Sequence, residues 1–350
     1  MSRPVRAFIL ISALALAILI GFADTVTGLI PDLTVFYLTP VIIATVFVGL
    51  PFGLLVAVVA AASELSSNIL IGLPLGANVI VDALFHLIVF ILGAVLVDKL
   101  LYQLRTITEF EQRRSYEIDI ARGVHQSIFT PFPEQYRDLV VGGKLAFAGE
   151  LGGDYYYFSD RGDKLFFCIG DISGKGIAAA LFSVMLHESI DDALMDADSL
   201  PSIFTIVNTH MCAALPEDMF ITLFCAFIDD KGIDFINAGH EPPMLYLKRQ
   251  NTTMLLESES SFPVGIRSDI DIAPRHESLA RGDILLAVTD GVTESPAFIS
   301  DPFGKLRELL YKNRNAEPQH IVDAVFAETM PDNGTHQSDD IVIACIKRHP

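Results

Sequence analysis

Four aspartates stand where an apolar strand begins or ends, and carboxylates held side by side can do metal-dependent chemistry. Asp154 precedes the aromatic run Tyr155 to Phe158, Asp160-Arg161-Gly162-Asp163 is turn chemistry, and Leu165 to Ile169 is a buried-strand pattern leading to Asp171. In an antiparallel hairpin the start of one strand and the end of its partner share an edge, so Asp154 and Asp171 are expected to be neighbours. Two adjacent carboxylates repel, which raises one pKa or recruits a cation, and hard oxygen ligands recruit magnesium or manganese rather than zinc. The arrangement recurs downstream, where Ile284 to Val288 ends in Thr289-Asp290-Gly291 and Asp339-Asp340 stands immediately before Ile341 to Ile346. If these strands are antiparallel neighbours, Asp290 and Asp339 also meet, and two sheets packed face to face would gather four carboxylates around metal ions. Each piece alone is ordinary, since Asp-Gly is usually a turn and a strand-end carboxylate is usually solvated. Nothing in the pattern forces the two edges together.

The element after Asp171 is a candidate anion site. After Asp171 come Ile172-Ser173-Gly174-Lys175-Gly176 and then a helical stretch from Ile177 to about Ala193. A glycine turn opening a helix can present backbone amides to a phosphate, with Lys175 adding charge. The spacing is not that of a P-loop, so no nucleotide site follows, and a tight turn with a solvated lysine fits the signals equally well.

The 350 residues are 51% apolar and carry a formal net charge of −19. The first hundred hold only three basic and five acidic side chains, so nearly all of the charge lies in the remainder. With no cluster of Lys and Arg, a general nucleic-acid binder is excluded and an anionic membrane surface is disfavoured. Cys168, Cys212, Cys225 and Cys345 are widely separated and sit mostly in apolar runs, which suits reduced, buried thiols rather than disulfides or a zinc knuckle. Uncharged stretches at Ala7 to Ala23 and Leu33 to Leu50, followed by Phe52 to Ile71 with Glu64 and Asn78 to Val97 with Asp82 and His86, read as four membrane spans, the third the weakest. Arg3, Arg6, Lys99 and Arg105 flank the outer ends while the loops carry Asp24 and Asp32, which puts both termini in the cytoplasm. Asp82 and His86 share a helix face, and these ionisable groups suit polar groups satisfied inside a bundle at least as well as a sensing site.

Helical spacing continues from Val97 through Leu100, Leu104, Ile107, Glu111, Arg114, Ile118, Ala121, His125 and Ile128, until Pro131 and Pro133 end it. The interrupted seam fits a short parallel coiled coil or one amphipathic helix docked on the next domain. Residues 1–98 are therefore expected to form a transmembrane bundle of four helices, 99–130 a connecting helix, and 134–350 a cytoplasmic domain.

The runs Gly149-Glu150-Leu151-Gly152-Gly153-Asp154-Tyr155-Tyr156, Ile169-Gly170-Asp171-Ile172-Ser173-Gly174-Lys175-Gly176, Asn237-Ala238-Gly239-His240, Thr289-Asp290-Gly291-Val292-Thr293-Glu294 and Asp339-Asp340 together resemble the bacterial sporulation-stage-II-E type phosphatases. These are metal-dependent protein serine/threonine phosphatases of the PPM superfamily, and the resemblance covers roughly residues 118 to 347. It implies an α/β (α+β) PPM-type sandwich, two antiparallel β-sheets flanked by helices, behind the α-helical membrane bundle. It further implies that Asp171 bridges two divalent ions, Mn2+ or Mg2+. Asp154 and the Ile172 carbonyl would hold one ion, Asp290 and Asp339 the other, and Asp340 would support them. A metal-bridging hydroxide would attack phosphorus in line, with Gly174 and Lys175 as candidate phosphate contacts. The Asn-Ala-Gly-His stretch reads as a shaped loop, so His240 is assigned a structural role. The family usually has threonine where this chain has Val342. The Gly152-Gly153-Asp154 triplet is also similar to diguanylate cyclases, which the following tyrosines and the Asp290 motif do not suit.

The bundle, with Phe36-Tyr37-Leu38-Thr39-Pro40, is similar to four-span sensory modules that precede bacterial signalling domains. The expected molecule is a phosphatase of the bacterial inner membrane, gated by its membrane bundle and homodimeric, in contact with membrane lipid and no nucleic acid. Its substrate would be a phosphoprotein such as an anti-sigma-factor antagonist. The competing readings are a catalytically silent pseudophosphatase that binds a signalling partner, and a transporter with an accessory domain.

Overall fold

A computed structural model of the chain describes residues 2–27, 33–71, 77–258, 262–270, 273–330, 337 and 339–349. Its contacts divide it into two compact units, Met1–Ser115 and Tyr116–Pro350.

The first unit is helical. It holds α1 (Arg3–Thr27), a single 3-10 turn (Thr34–Tyr37) running into α2 (Leu38–Phe47), α3 (Leu50–Leu70) and most of α4 (Ala77–Ser127). Small residues let the helices approach closely: a Cβ on Gly21 would fall 2.1 Å from Ser63 Oγ, and one on Gly53 1.9 Å from Thr45 Oγ1. The interior is Ala13, Ala17, Val41, Ala44, Ala57 and Ala60 with Tyr37 and Phe90, while Phe8, Phe22, Leu84, Phe85 and Leu92 point outward. Among the described residues three helices, α1, α3 and α4, are long and apolar enough to cross a membrane. The expected second span is shorter than read. Gly49 at φ 122° and Pro51 end it, leaving Thr34–Phe47, whose 14 residues cover about 21 Å against a hydrocarbon core of roughly 30 Å. Asp32 of the first loop lies outside the described residues. The fourth span and the connecting helix are a single helix of 51 residues, which stops at Ser127 ahead of Pro131.

The second unit runs β1 (Gln135–Tyr136), β2 (Leu139–Ala146), β3 (Asp154–Asp160), β4 (Leu165–Ile172), α5 (Ile177–Asp196), α6 (Leu200–Ala214), β5 (Ile221–Ile228), β6 (Ile233–Ala238), β7 (Met244–Leu247), β8 (Thr252–Leu255), β9 (Arg275–Glu277), β10 (Ile284–Val288), the one-turn α7 (Asp290–Thr293), α8 (Pro302–Asn313), α9 (Pro318–Thr329) and β11 (Ile341–Arg348). The strands form two antiparallel sheets, in the orders β1-β2-β11-β10-β7-β8 and β3-β4-β5-β6-β9.

Strand periodicity explains the layers. Along β4, Leu165, Phe167 and Ile169 enter the core between the sheets, whereas Phe166, Cys168 and Ile172 face α5 and α6. Along β11, Val342, Ala344 and Ile346 face the other sheet while Ile341, Ile343 and Cys345 face α8 and α9. Strands buried on both faces must be apolar at every position, which is why these runs read as continuous hydrophobic blocks. The result is helices, sheet, sheet, helices, with the aspartates collected where β3 and β11 start and where β4 and β10 end.

Candidate active site

The β3–β4 hairpin sets Asp154 directly opposite Asp171. In the facing sheet Val288 pairs with Ile343, and the ladder continues as the Thr289 amide donates to the Val342 carbonyl at 3.1 Å, so Asp290 emerges beside Ile341. Oxygens of Asp154, Asp171 and Asp290 lie within 4.8 Å of one another.

Two side chains bring the sheet edges together. The Thr289 hydroxyl donates to Asp154 Oδ2 at 2.6 Å and accepts from the Val342 amide at 2.9 Å, which ties β3 to the β10–β11 pair. Asp340 accepts from the Ala148 amide through Oδ1 and from the Gly153 amide through Oδ2, both at 2.8 Å, and so fixes the loop entering β3. The close fit requires glycine: a Cβ on Gly152 would lie 2.1 Å from Asp340 Oδ2, one on Gly153 2.7 Å from the Ile172 carbonyl, and one on Gly291 1.8 Å from the Asp340 carbonyl.

Burial and mutual repulsion dominate the electrostatics. Asp154 is 1% exposed, and burial, followed by the charge of Asp171, holds its carboxyl well above the ordinary range despite the Thr289 hydrogen bond. Asp171 is pushed from an ordinary 3.8 to about 7, first by burial and then by Asp290, Asp339 and Asp340, with Lys175 acting in the opposite sense. Asp290 and Asp340 are raised too, again by burial first. Carboxyls in this state ionise together only if positive charge joins them, and a set of hard oxygen donors suits Mg2+ or Mn2+.

Among the described residues the three carboxylates that converge are Asp154, Asp171 and Asp290, and the Oδ2 of nearby Asp339 pairs with Lys175 Nζ at 2.8 Å. Gln337 holds the segment by donating to the carbonyls of Ala146 and Asp339 at 2.8 and 2.7 Å. The loop carrying Lys175 is built rather than loose. The Ser173 amide donates to the Phe220 carbonyl at 2.9 Å, the Phe220 amide returns a bond to Ser173 Oγ at 2.8 Å, and Gly174 and Gly176 take φ of 100° and 74°. Gly176 then opens α5.

His240 is packed in the Asn237 loop. Its amide donates to Asn237 Oδ1 at 2.9 Å, Asn237 Nδ2 donates back to its carbonyl at 3.1 Å, and its Nδ1 meets the Thr222 hydroxyl at 3.0 Å. Burial lowers its pKa to about 3, so the ring is neutral at working pH and holds a loop beside β5, whose Thr222 stands opposite Asp171. Two neighbours carry no local sequence signal for their roles. The Thr289-Asp290-Gly291 motif by itself assigns Thr289 none, and the carboxyl of half-buried Glu241 is raised by burial and by Asp290 while it bonds Thr293.

Thr289→Val keeps the shape and removes the hydroxyl from a buried carboxylate and an amide. It is expected to lower the stability of the metal-free protein by about 1–3 kcal/mol and to weaken metal-dependent turnover, with Thr289→Ser close to wild type. Urea denaturation of the three proteins checks this.

Comparison with known proteins gives the same fold. The family described as Stage II sporulation protein E (SpoIIE) matches residues 161–349, a span that contains Asp171, Asp290 and Asp339 and begins just after Asp154. The chain is 28% identical over 274 residues to the phosphoserine phosphatase RsbU of Bacillus subtilis, covering 76% of this chain and 81% of RsbU. It is 22% identical over 202 residues to stage II sporulation protein E of B. subtilis, covering 57% of this chain but 24% of that longer protein. Among solved structures, the SiaA-PP2C domain of Pseudomonas aeruginosa superposes with a TM-score of 0.57 at 18% identity, covering 68% of this chain and 98% of that one. The PP2C phosphatase domain of B. subtilis SpoIIE, solved with a fragment of its regulatory domain, gives 0.54 at 21%, covering 60% and 62%. The family match takes in more than half of the chain, and the chain belongs to the Stage II sporulation protein E family of PP2C-type protein phosphatases.

Proposed function

We propose that this protein is a membrane-anchored, metal-dependent serine/threonine phosphatase acting on a regulatory phosphoprotein. The observation that carries the reading is the convergence of Asp154, Asp171 and Asp290 within 4.8 Å in a domain of a phosphatase family. Asp171 would be the ligand shared by two divalent ions, Mn2+ or Mg2+, with Asp154 and the Ile172 carbonyl on one and Asp290 with Asp339 on the other. When bound, such ions offset phosphoryl charge and acidify water as a nucleophile. The protein's own groups do the rest. Asp340 and Thr289 hold the ligands in register, and Lys175 with the amides of the Gly174–Gly176 turn would take phosphoryl oxygens. The substrate would be a phosphoserine or phosphothreonine protein, as the name of RsbU suggests, of the anti-sigma-factor-antagonist kind that the motif resemblance implies.

The test is release of phosphate by the full chain in nanodiscs from a phosphoserine protein and from its phosphotyrosine counterpart, with manganese and with chelator. Manganese-dependent release from phosphoserine alone supports the proposal. Binding of the phosphoprotein with no release under any condition supports the pseudophosphatase reading instead.

We further propose that the protein lies in the bacterial inner membrane with both termini cytoplasmic, and that α4 regulates the site as part of a homodimer. The support is local to the second unit. His125, buried at the end of α4, packs its ring 5.1 Å from those of Phe129 and Phe147, and Arg122 pairs with Glu150 at 3.0 Å. Residues 147–153 are the loop that Asp340 clamps ahead of Asp154, so a shift of the α4 end would reach the carboxylates directly. Fragments of the second domain with and without the connecting helix should differ several-fold in turnover and in oligomeric state. Equal turnover from two monomers would remove the regulatory role.

A further inference from the structure

Between Arg6 and Lys99 the chain has no lysine or arginine, yet α3 buries a carboxylate among helices lined by alanine, glycine and valine. Glu64 is 4% exposed. Its Oε1 accepts the Thr34 hydroxyl at 2.9 Å and meets His86 Nδ1 of α4 at 2.7 Å, while its Oε2 has no hydrogen-bond partner. A pair retained only for packing would satisfy both oxygens, since an unmatched carboxylate oxygen in an apolar interior costs several kcal/mol. Oxygen-bearing neighbours surround it. Ser67, one turn further along α3, meets the Thr25 hydroxyl of α1 at 3.1 Å, the Tyr37 hydroxyl lies beside the Gly21 and Ser63 contact, and Asp24 acts on the site from α1.

Asp24 and Thr25 stand near the C-terminal end of α1, Glu64 and Ser67 in the C-terminal half of α3, Thr34 opens the 3-10 turn, and His86 lies near the start of α4, with exposed Asp82 one turn before it. A buried carboxylate with one unmatched oxygen, set among hydroxyls and a histidine in an apolar bundle whose sequence has no lysine or arginine between Arg6 and Lys99, is suited to receive positive charge.

We propose that Glu64, His86 and Thr34 form a cation-binding site in the helical unit, whose ligand is a proton or a small alkali cation delivered to Glu64 Oε2. The titratable groups facing it are Asp24 on α1, Tyr37 on the 3-10 turn and His86 on α4. The site stands independently of the phosphatase reading.

The test is infrared difference spectroscopy of the full chain in liposomes, perfused first between two pH values and then between choline and sodium at constant ionic strength. Wild type is expected to show either a protonated-carboxyl band that follows pH or a carboxylate shift that follows sodium, either one missing in Glu64→Gln. The two arms identify the proton or the alkali ion as ligand. Because Glu64→Gln alone could fold poorly, His86→Gln, which keeps the carboxylate, should move the midpoint of the response at least tenfold. Spectra that change identically in wild type and both variants, or in none of them, would overturn the site.

Discussion

Asp171→Asn is expected to cost at least a thousandfold in metal-dependent turnover while leaving the protein folded and, without metal, more stable than wild type. Asp171 faces Asp154 across the hairpin and lies near Asp290, Asp339 and Asp340, so removing its charge relieves repulsion and takes away a ligand that a cation would share. Removing one shared ligand forfeits metal-borne charge stabilisation worth several kcal/mol, and each 1.36 kcal/mol is tenfold in rate. The asparagine keeps the volume and relieves the repulsion, which is why activity and stability should move in opposite directions. Turnover at saturating manganese, together with urea midpoints in chelator, checks both halves. A variant that loses activity by unfolding would point to a structural role instead.

The second large effect is on pH. In the metal-free protein the Asp171 carboxyl titrates near pH 7 rather than at 3.8, so the folded state binds its proton more tightly than the unfolded state does. The resulting stability is fully present below about pH 4 and is lost as pH rises through 7, with a magnitude on the order of 4 kcal/mol for this group. Asp154, Asp290 and Asp340, raised in the same direction, add to the trend. A divalent ion should reverse it. Its binding must displace those protons, so affinity should rise toward neutral pH by about tenfold per pH unit for each proton released. Melting curves across that range, in chelator and in manganese, should therefore diverge as pH increases. Parallel curves would mean that the carboxylates do not share charge in this way.

Much of this site was legible in the sequence because its determinants are local. The Asp160–Asp163 turn fixes the hairpin register, and register alone puts Asp154 opposite Asp171. The apolar blocks ending at Thr289 and beginning after Asp340 likewise announced two adjoining strands. What joins the sheets was not legible. The Thr289 to Asp154 hydrogen bond links residues 135 positions apart, and no spacing rule reaches that far. The ion pair of Lys175 with Asp339 links residues 164 positions apart and is another contact that no spacing rule reaches. In the helical unit, hydrophobic runs gave the positions of the helices but not the length of the second, which depends on one backbone angle at Gly49. Helical spacing grouped His86 with Asp82 on one face, whereas its partner is Glu64 on another helix. Periodicity within a helix carries no information about which neighbour it will meet.

The most direct test of the metal centre is a count of manganese bound per chain, by equilibrium titration of wild type and of Asp171→Asn at neutral pH. Two saturable equivalents in wild type, with loss of at least one in the variant, is the predicted result. Absence of saturable binding in a folded wild-type protein, or equal binding by the variant, would contradict the assignment of these aspartates as metal ligands.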